Sequence, residues 1–222
     1  MRTMLRGVVG LGLVALLCGP AFAQGGRGGM GMMGGGGISM LIGNESVQKE
    51  LKLDDTQVTK AKELADKNRE KMMASFAETK DLEKEERQTK MAELMKEVNE
   101  STTKAIKEFL KPEQLTRLHQ CSNQVRGALA FADPEIAKKL NITDAQKEEI
   151  KTINEESGEK IQEIRRDAGD DREAAGKKIA EYRKEVLGKI VAKLNDEQQK
   201  TWKELTGAPF DYVPTPFRRP NQ

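Results

Sequence analysis

The residues best suited to chemistry are His119, the single histidine, and Cys121, the one cysteine after the first 23 residues. A nucleophilic pair or a zinc site needs side chains that converge, whereas residues two positions apart on a helix point in different directions. The acidic residues alternate with Lys and Arg, as is typical of solvated helix faces, and no G-x-x-x-x-G-K-S/T phosphate loop occurs. We therefore expect no catalytic residues, no metal site and no cofactor.

Residues 1–23 have the three parts of a cleavable secretory signal. Arg2 and Arg6 form a basic start, residues 8–17 an apolar run, and the small-residue sequence 21–23 a cleavage site. The apolar run is too short to be a permanent membrane-spanning helix. The sequence therefore predicts export to the periplasm with cleavage after Ala23.

Each cysteine leaves an alternative open. Cys18 also suits a lipoprotein signal, although Leu17 lies where such signals have a small residue. After cleavage Cys121 has no partner for an internal disulfide, so it is either a buried thiol or forms a bridge between molecules. Leu118 and Val125 on the same helix favour the buried thiol.

Composition excludes some classes of partner. Removal of the signal leaves equal numbers of basic and acidic residues, whereas a nucleic-acid-binding protein needs an excess of Lys and Arg. Aromatic residues make up 4% and charged residues 33% of the chain. These proportions favour a thin aliphatic core between long helices.

The sequence after residue 43 repeats itself. Five residues match residues of the same or similar type 89 positions later, and three match identical residues 84 positions later. The first set is Asn44, Val47, Leu51, Leu53 and Gln57, and the second is Leu110, Glu113 and Gln114. We predict two related units, residues 44–128 and 129–206, after a Gly- and Met-rich linker over 24–43 and before a Pro-rich tail over 207–222.

One short motif occurs twice in each unit: an apolar residue, a cap or turn residue, two further residues, and then Gln. It predicts a helix start in which the cap accepts a backbone N–H and Gln returns a bond to the cap. Lys111 is a poor cap, but Pro112 suits the first helical position. The motif residues are Leu53, Asp54 and Gln57; Leu110, Pro112 and Gln114; Ile142, Thr143 and Gln146; and Leu194, Asn195 and Gln198.

Apolar residues recur every three or four positions after these starts, which predicts an all-α fold. Each unit should contain a short first helix, two long antiparallel helices that break near Asp81 or Gly169, and a terminal helix. Met30, Met32 and Met33 could bind Cu(I), but they suit a flexible linker better. The tail should be extended, docked either on its own chain or on another protein, with the former favoured.

The four motifs resemble the LTxxQ motif of the Spy/CpxP family of periplasmic helical proteins, most closely at residues 140–146. Family members carry two such motifs in a chain, and Spy-like members dimerise into a thin, curved cradle. This resemblance implies that the present chain, with two motif pairs, builds one cradle from a single polypeptide. It also implies an envelope binding protein, and the chain lacks the histidine-rich segments of the zinc-binding relatives.

The leading hypothesis is an ATP-independent holding chaperone or stress adaptor that binds partly folded envelope proteins. Methionine adapts to partners of many shapes, so the candidate client-binding residues are Met72, Met73, Phe76, Met91 and Met95. These residues could instead pack the two long helices together, although Met73 cannot share a helix face with Met72. Two alternatives are a regulatory ligand of a membrane sensor protein and a passive helical spacer.

Overall fold

The computed structural model describes residues 37–214, which form helices and their connections without any strand. The all-α class is thus confirmed. The predicted signal peptide, Met30, Met32 and Met33 of the linker, and tail residues 215–222 lie outside the described residues. The helices are α1 Ile38–Leu41, α2 Glu45–Glu50, α3 Asp55–Thr79, α4 Lys84–Ile106, α5 Pro112–Arg126, a 3-10 helix Gly127–Ala132, α6 Pro134–Lys139, α7 Asp144–Asp167, α8 Arg172–Val191 and α9 Asp196–Thr206.

Helices α3, α5, α7 and α9 begin at the four predicted motifs. Asp54 and Asn195 each accept the backbone N–H three residues ahead at 2.9 Å, and Thr143 does so at 3.2 Å. The Gln of each motif accepts the N–H of the cap in return. At Lys111 only the return bond forms, at 2.9 Å, because an ammonium group has no acceptor.

The long helices pack in antiparallel pairs, α3 with α4 and α7 with α8. In the first pair Asn68 contacts Thr102 and Lys71 contacts Glu97. Residues later in α3 therefore contact residues earlier in α4, as antiparallel packing requires. The pairs turn at residues 80–83 and 168–171, near the predicted breaks. Each pair is therefore an arm with its turn at one end and a larger core at the other.

Two apolar cores lie at the bases of the arms. In the second core the rings of Phe131 and Trp202 lie 4.3 Å apart, and α5 packs on α9 between the cores. The buried residues of the first core are Leu41, Ile42, Val47, Leu51, Ala61, Ile106, Leu110, Leu118, Cys121 and Phe210. Those of the second are Ala130, Phe131, Ile136, Leu140, Ile142, Ile150, Val186, Ile190, Leu194 and Trp202.

The predicted linker over 24–43 is wrong at its C-terminal end. Residues 38–41 form helix α1, and Leu41 and Ile42 are fully buried in the first core. Gly43 belongs to this packing too, because a Cβ at that position would collide with the Ala65 side chain. The glycine-rich composition before residue 38 obscured this short apolar element, whose burial depends on α3, α4 and α5.

The tail and Cys121 take the arrangements that the sequence favoured. Residues 207–214 are extended and dock on the same chain, with Phe210 in the first core. The Cys121 side chain is fully buried, and burial raises its pKa to about 11. A disulfide between two molecules would therefore require α5 to leave the core.

The second residue after α2 and the second residue after α6 have a positive φ: 51° at Lys52 and 50° at Asn141. Lys52→Gly should raise the free energy of unfolding by about 1 kcal/mol, because glycine adopts this conformation without steric cost. Lys49→Gly, at an exposed position inside α2, should lower it by about 1 kcal/mol. Urea denaturation of both variants checks this, and equal effects would contradict it.

Candidate binding site

Two glutamine side chains join the base of the first arm to α5. Gln57 Nε2 donates to Gln114 Oε1 at 2.8 Å, and Gln114 Nε2 donates to Gln57 Oε1 at 3.1 Å. Each amide donates its second N–H to a backbone carbonyl: Gln57 to Phe109 O and Gln114 to Leu51 O. Both glutamines are buried.

The second unit contains the same arrangement. Gln146 and Gln198 exchange amide hydrogen bonds of 2.9 and 3.0 Å. Gln146 also donates to the Lys193 carbonyl and Gln198 to the Asn141 carbonyl. Motifs that the sequence analysis treated as four separate caps are therefore two reciprocal pairs.

The pairing gives the motif glutamines a structural role. Each Oε1 accepts from the cap N–H and from the partner amide, and each Nε2 uses both hydrogens. Among the described residues no buried side-chain polar atom lacks a partner, so these amides have no capacity left for a ligand. The remaining motif residues are also structural: Leu110, Ile142 and Leu194 are buried, Leu53 packs against the first core, and Pro112 is the first residue of α5.

Beside the first glutamine pair lies an open cleft of about 670 Å³ between the start of α3 and the α4–α5 connection. A smaller hollow of about 280 Å³ continues it along the arm. Phe109 and Leu64, both half-buried, supply apolar surface, and Lys60 and Glu108 line both spaces. The sequence analysis missed this cleft, because its walls are more than 40 residues apart in the chain.

The second unit has different chemistry at the corresponding positions. Lys193 occupies the place of Phe109, 84 residues on, and Glu149 that of Lys60, 89 residues on. The Lys193 ammonium and Glu149 carboxylate form an ion pair of 3.1 Å. The aromatic surface beside the glutamine pair is thus a property of the first unit alone.

The five predicted client-binding residues all lie on the first arm but differ in exposure. Met91 is buried, and the Ser75 hydroxyl lies 3.7 Å from its sulfur, so it packs α3 against α4. Met72, Phe76 and Met95 are half-buried, whereas Met73 is 42% exposed. Exposure thus separates Met91 from the other four residues, which we call the methionine face. On α3 this surface curves around the helix from Met72 through Phe76 to Met73, which lies about 100° from Met72.

The methionine face continues the side of the arm that α1 covers. Ser39 of α1 contacts Asn99 at 2.9 Å and the Asn68 amide at 3.5 Å. Met72 and Met95 lie one helical turn further out, on the same helix faces as Asn68 and Asn99 respectively. α1 therefore packs on the inner part of this side, and the partly exposed apolar side chains follow directly beyond it.

An ion pair between α3 and α4 lies on the opposite side of the arm. Lys71 Nζ donates to Glu97 Oε1 at 2.8 Å, and this bond lowers the pKa of Glu97.

His119 on α5 shows no sign of a metal site. Its pKa is lowered by desolvation and by Lys139 and Lys107, which favours a neutral imidazole at pH 7. Within residues 37–214 no three His, Cys, Asp or Glu side chains are grouped as metal ligands would be.

Comparisons of the chain with protein-family models, with curated proteins and with solved structures each give no significant match. The resemblance of the four motifs to LTxxQ sequences therefore remains an expectation from the residues themselves. None of the helices between residues 37 and 214 has the length and apolar character needed to cross a membrane.

The glutamine pairing predicts the behaviour of Gln57→Glu. A carboxylate cannot donate a hydrogen bond to the Phe109 carbonyl or to Gln114 Oε1. The free energy of unfolding at pH 7 should therefore be about 3 kcal/mol lower than in wild type. Burial would raise the pKa of the new carboxyl, so the deficit relative to wild type should shrink as the pH falls toward about 4.

Gln88→Glu is the matched control, because Gln88 is exposed on α4 and its substitution should change stability by less than about 0.5 kcal/mol. Urea titrations at several pH values measure both variants. A deficit for Gln57→Glu that is small, or that grows as the pH falls, would contradict the paired-amide assignment.

Proposed function

We propose that the protein is an exported, ATP-independent holding chaperone or stress adaptor that binds partly folded envelope proteins. The observation that carries this proposal is the methionine face, where Met72, Phe76 and Met95 are half-buried and Met73 is 42% exposed. Because α3 and α4 form an arm only two helices across, its outer half cannot enclose these side chains. They remain available to a partner.

The residue types on this face suit clients of many shapes. Methionine side chains are flexible and polarisable, so they can adapt to different apolar surfaces without a fixed pocket. The second arm also has half-buried apolar residues, Ile161, Ile164 and Tyr182, but within α7 and α8 no large apolar side chain is exposed as Met73 is. We assign client binding to the first arm and a supporting role to the second.

Export, the absence of catalysis and a monomeric state belong to the same proposal. The residue pattern of positions 1–23 supports export, and ATP would not be available to the chain outside the cytoplasm. Each glutamine pair closes within its own unit, and α5 packs against α9, which supports a single-chain assembly. The buried Cys121 thiol also disfavours a covalent dimer.

Met73→Lys tests the proposed surface. The concentration that halves aggregation of thermally unfolding malate dehydrogenase, followed by light scattering, should rise about tenfold, because one buried apolar side chain is worth about 1.5 kcal/mol. Since Met73 is exposed, the thermal unfolding midpoint of the chaperone itself should change little.

Leu129→Lys is the matched control, because Leu129 is also 42% exposed but lies in the 3-10 helix that spans the junction of the two units. It should leave suppression of aggregation unchanged. Equal losses in the two variants would show that general surface hydrophobicity acts instead of the methionine face. No suppression by the wild-type chain would refute the holding function.

A further inference from the structure

The C-terminal tail leaves the second unit and crosses to the first. Gly207, with φ 64°, ends α9, and residues 208–214 then run over α5 toward the start of α2. Phe210 is 8% exposed and belongs to the first core, whereas Val213 is 62% exposed. The tail is thus an extended segment attached through one buried aromatic anchor.

Side chains of α5 bind the main chain of this segment. Arg117 Nη2 and Gln124 Nε2 donate to the Ala208 carbonyl at 2.7 and 2.8 Å. The Phe210 N–H donates to Gln124 Oε1 at 3.2 Å. Gln124 therefore contacts the peptide backbone through both its donor and its acceptor.

The start of α2 binds the other end of the segment in the same way. The Val213 N–H donates to Ser46 Oγ at 3.1 Å, and Asn44 Nδ2 donates to the Val213 carbonyl at 2.8 Å. These hydrogen bonds go to backbone groups, so they do not depend on the side chains of the bound segment. Recognition of this kind tolerates many sequences.

Selectivity comes from the aromatic side chains. Phe210 fills the first core, and Tyr212, half-buried, packs against that core with its ring 6.2 Å from the ring of Phe210. Asp211 between them is exposed. The surface therefore fits an extended segment that has one buried aromatic residue and a second aromatic residue two positions later.

We propose that the surface formed by the start of α2 and by α5 is a peptide-binding groove for extended, aromatic-containing segments of partly folded proteins. The chain's own residues 208–214 occupy this groove as an intramolecular competitor. This inference rests on the proposed holding function for the source of the segment, whereas the groove and its bonds to the main chain are independent of it. Client segments gain access when the tail leaves.

The test uses the full chain with Phe210→Ala and a dye-labelled peptide of sequence Gly-Ala-Pro-Phe-Asp-Tyr-Val-Pro, taken from residues 207–214. A tethered tail competes at an effective concentration of about 1 mM, so removing its anchor should lower the peptide Kd at least tenfold relative to wild type. Fluorescence anisotropy measures this binding. Val213→Ala in the chain should leave the Kd unchanged, and a peptide with Ala for its Phe should not bind.

A folded Phe210→Ala chain, verified by circular dichroism, that binds the peptide no better than wild type would overturn the groove. If this variant does not fold, Tyr212→Ala provides the test, because Tyr212 is half-buried and packs against the first core without being one of its buried residues. Weaker docking of the tail in this variant should lower the peptide Kd at least threefold relative to wild type. An unchanged Kd would overturn the proposal.

The same measurements separate this proposal from the holding function. Peptide binding with no suppression of aggregation would refute the holding function and keep the groove. Suppression of aggregation with no peptide binding would refute the groove and keep the holding function. A wild-type dimer in sedimentation that the peptide dissociates would show that the tail occupies a second copy, which would overturn the intramolecular arrangement.

Discussion

The reciprocal amide pairs, Gln57 with Gln114 and Gln146 with Gln198, are the contacts on which the rest of each unit depends. An amide side chain buried with unused donors would destabilise the fold, but here each one uses its complete hydrogen-bonding capacity. Each pair links two helix N-termini and ties the base of an arm to the terminal helix of the unit. The helix start and the tertiary contact are thus satisfied by the same side chain.

The glutamine pairs at the bases of the arms determine where apolar side chains can be buried. Both cores lie beside the glutamine pairs, where short helices add further layers to the two long ones. Farther out each arm is only a pair of helices, which buries the residues between them, such as Met91 in the first arm and Ile179 in the second. Apolar residues beside this line of contact stay half-buried in both arms, and in the first arm Met73 is exposed.

The two units are unequal although their motifs are similar. The place of Phe109 beside the first cleft is taken in the second unit by Lys193, which is paired with Glu149. The first core also includes Phe210 from the end of the chain. The methionine face therefore lies on unit one, and unit one is also where the tail, residues 207–214, docks.

The sequence by itself determined the all-α class, the four motif helix starts and the repetition of the motifs, because helix caps act over three residues and apolar periodicity acts within one helix. It also predicted the buried Cys121 and the docked tail. Only the tertiary structure showed that Gln57 pairs with a residue 57 positions away, that Ile38–Leu41 is a helix, and that Met91 is buried. These features depend on which surfaces distant in the sequence pack together. That packing is determined by the whole chain and cannot be predicted from a local sequence pattern.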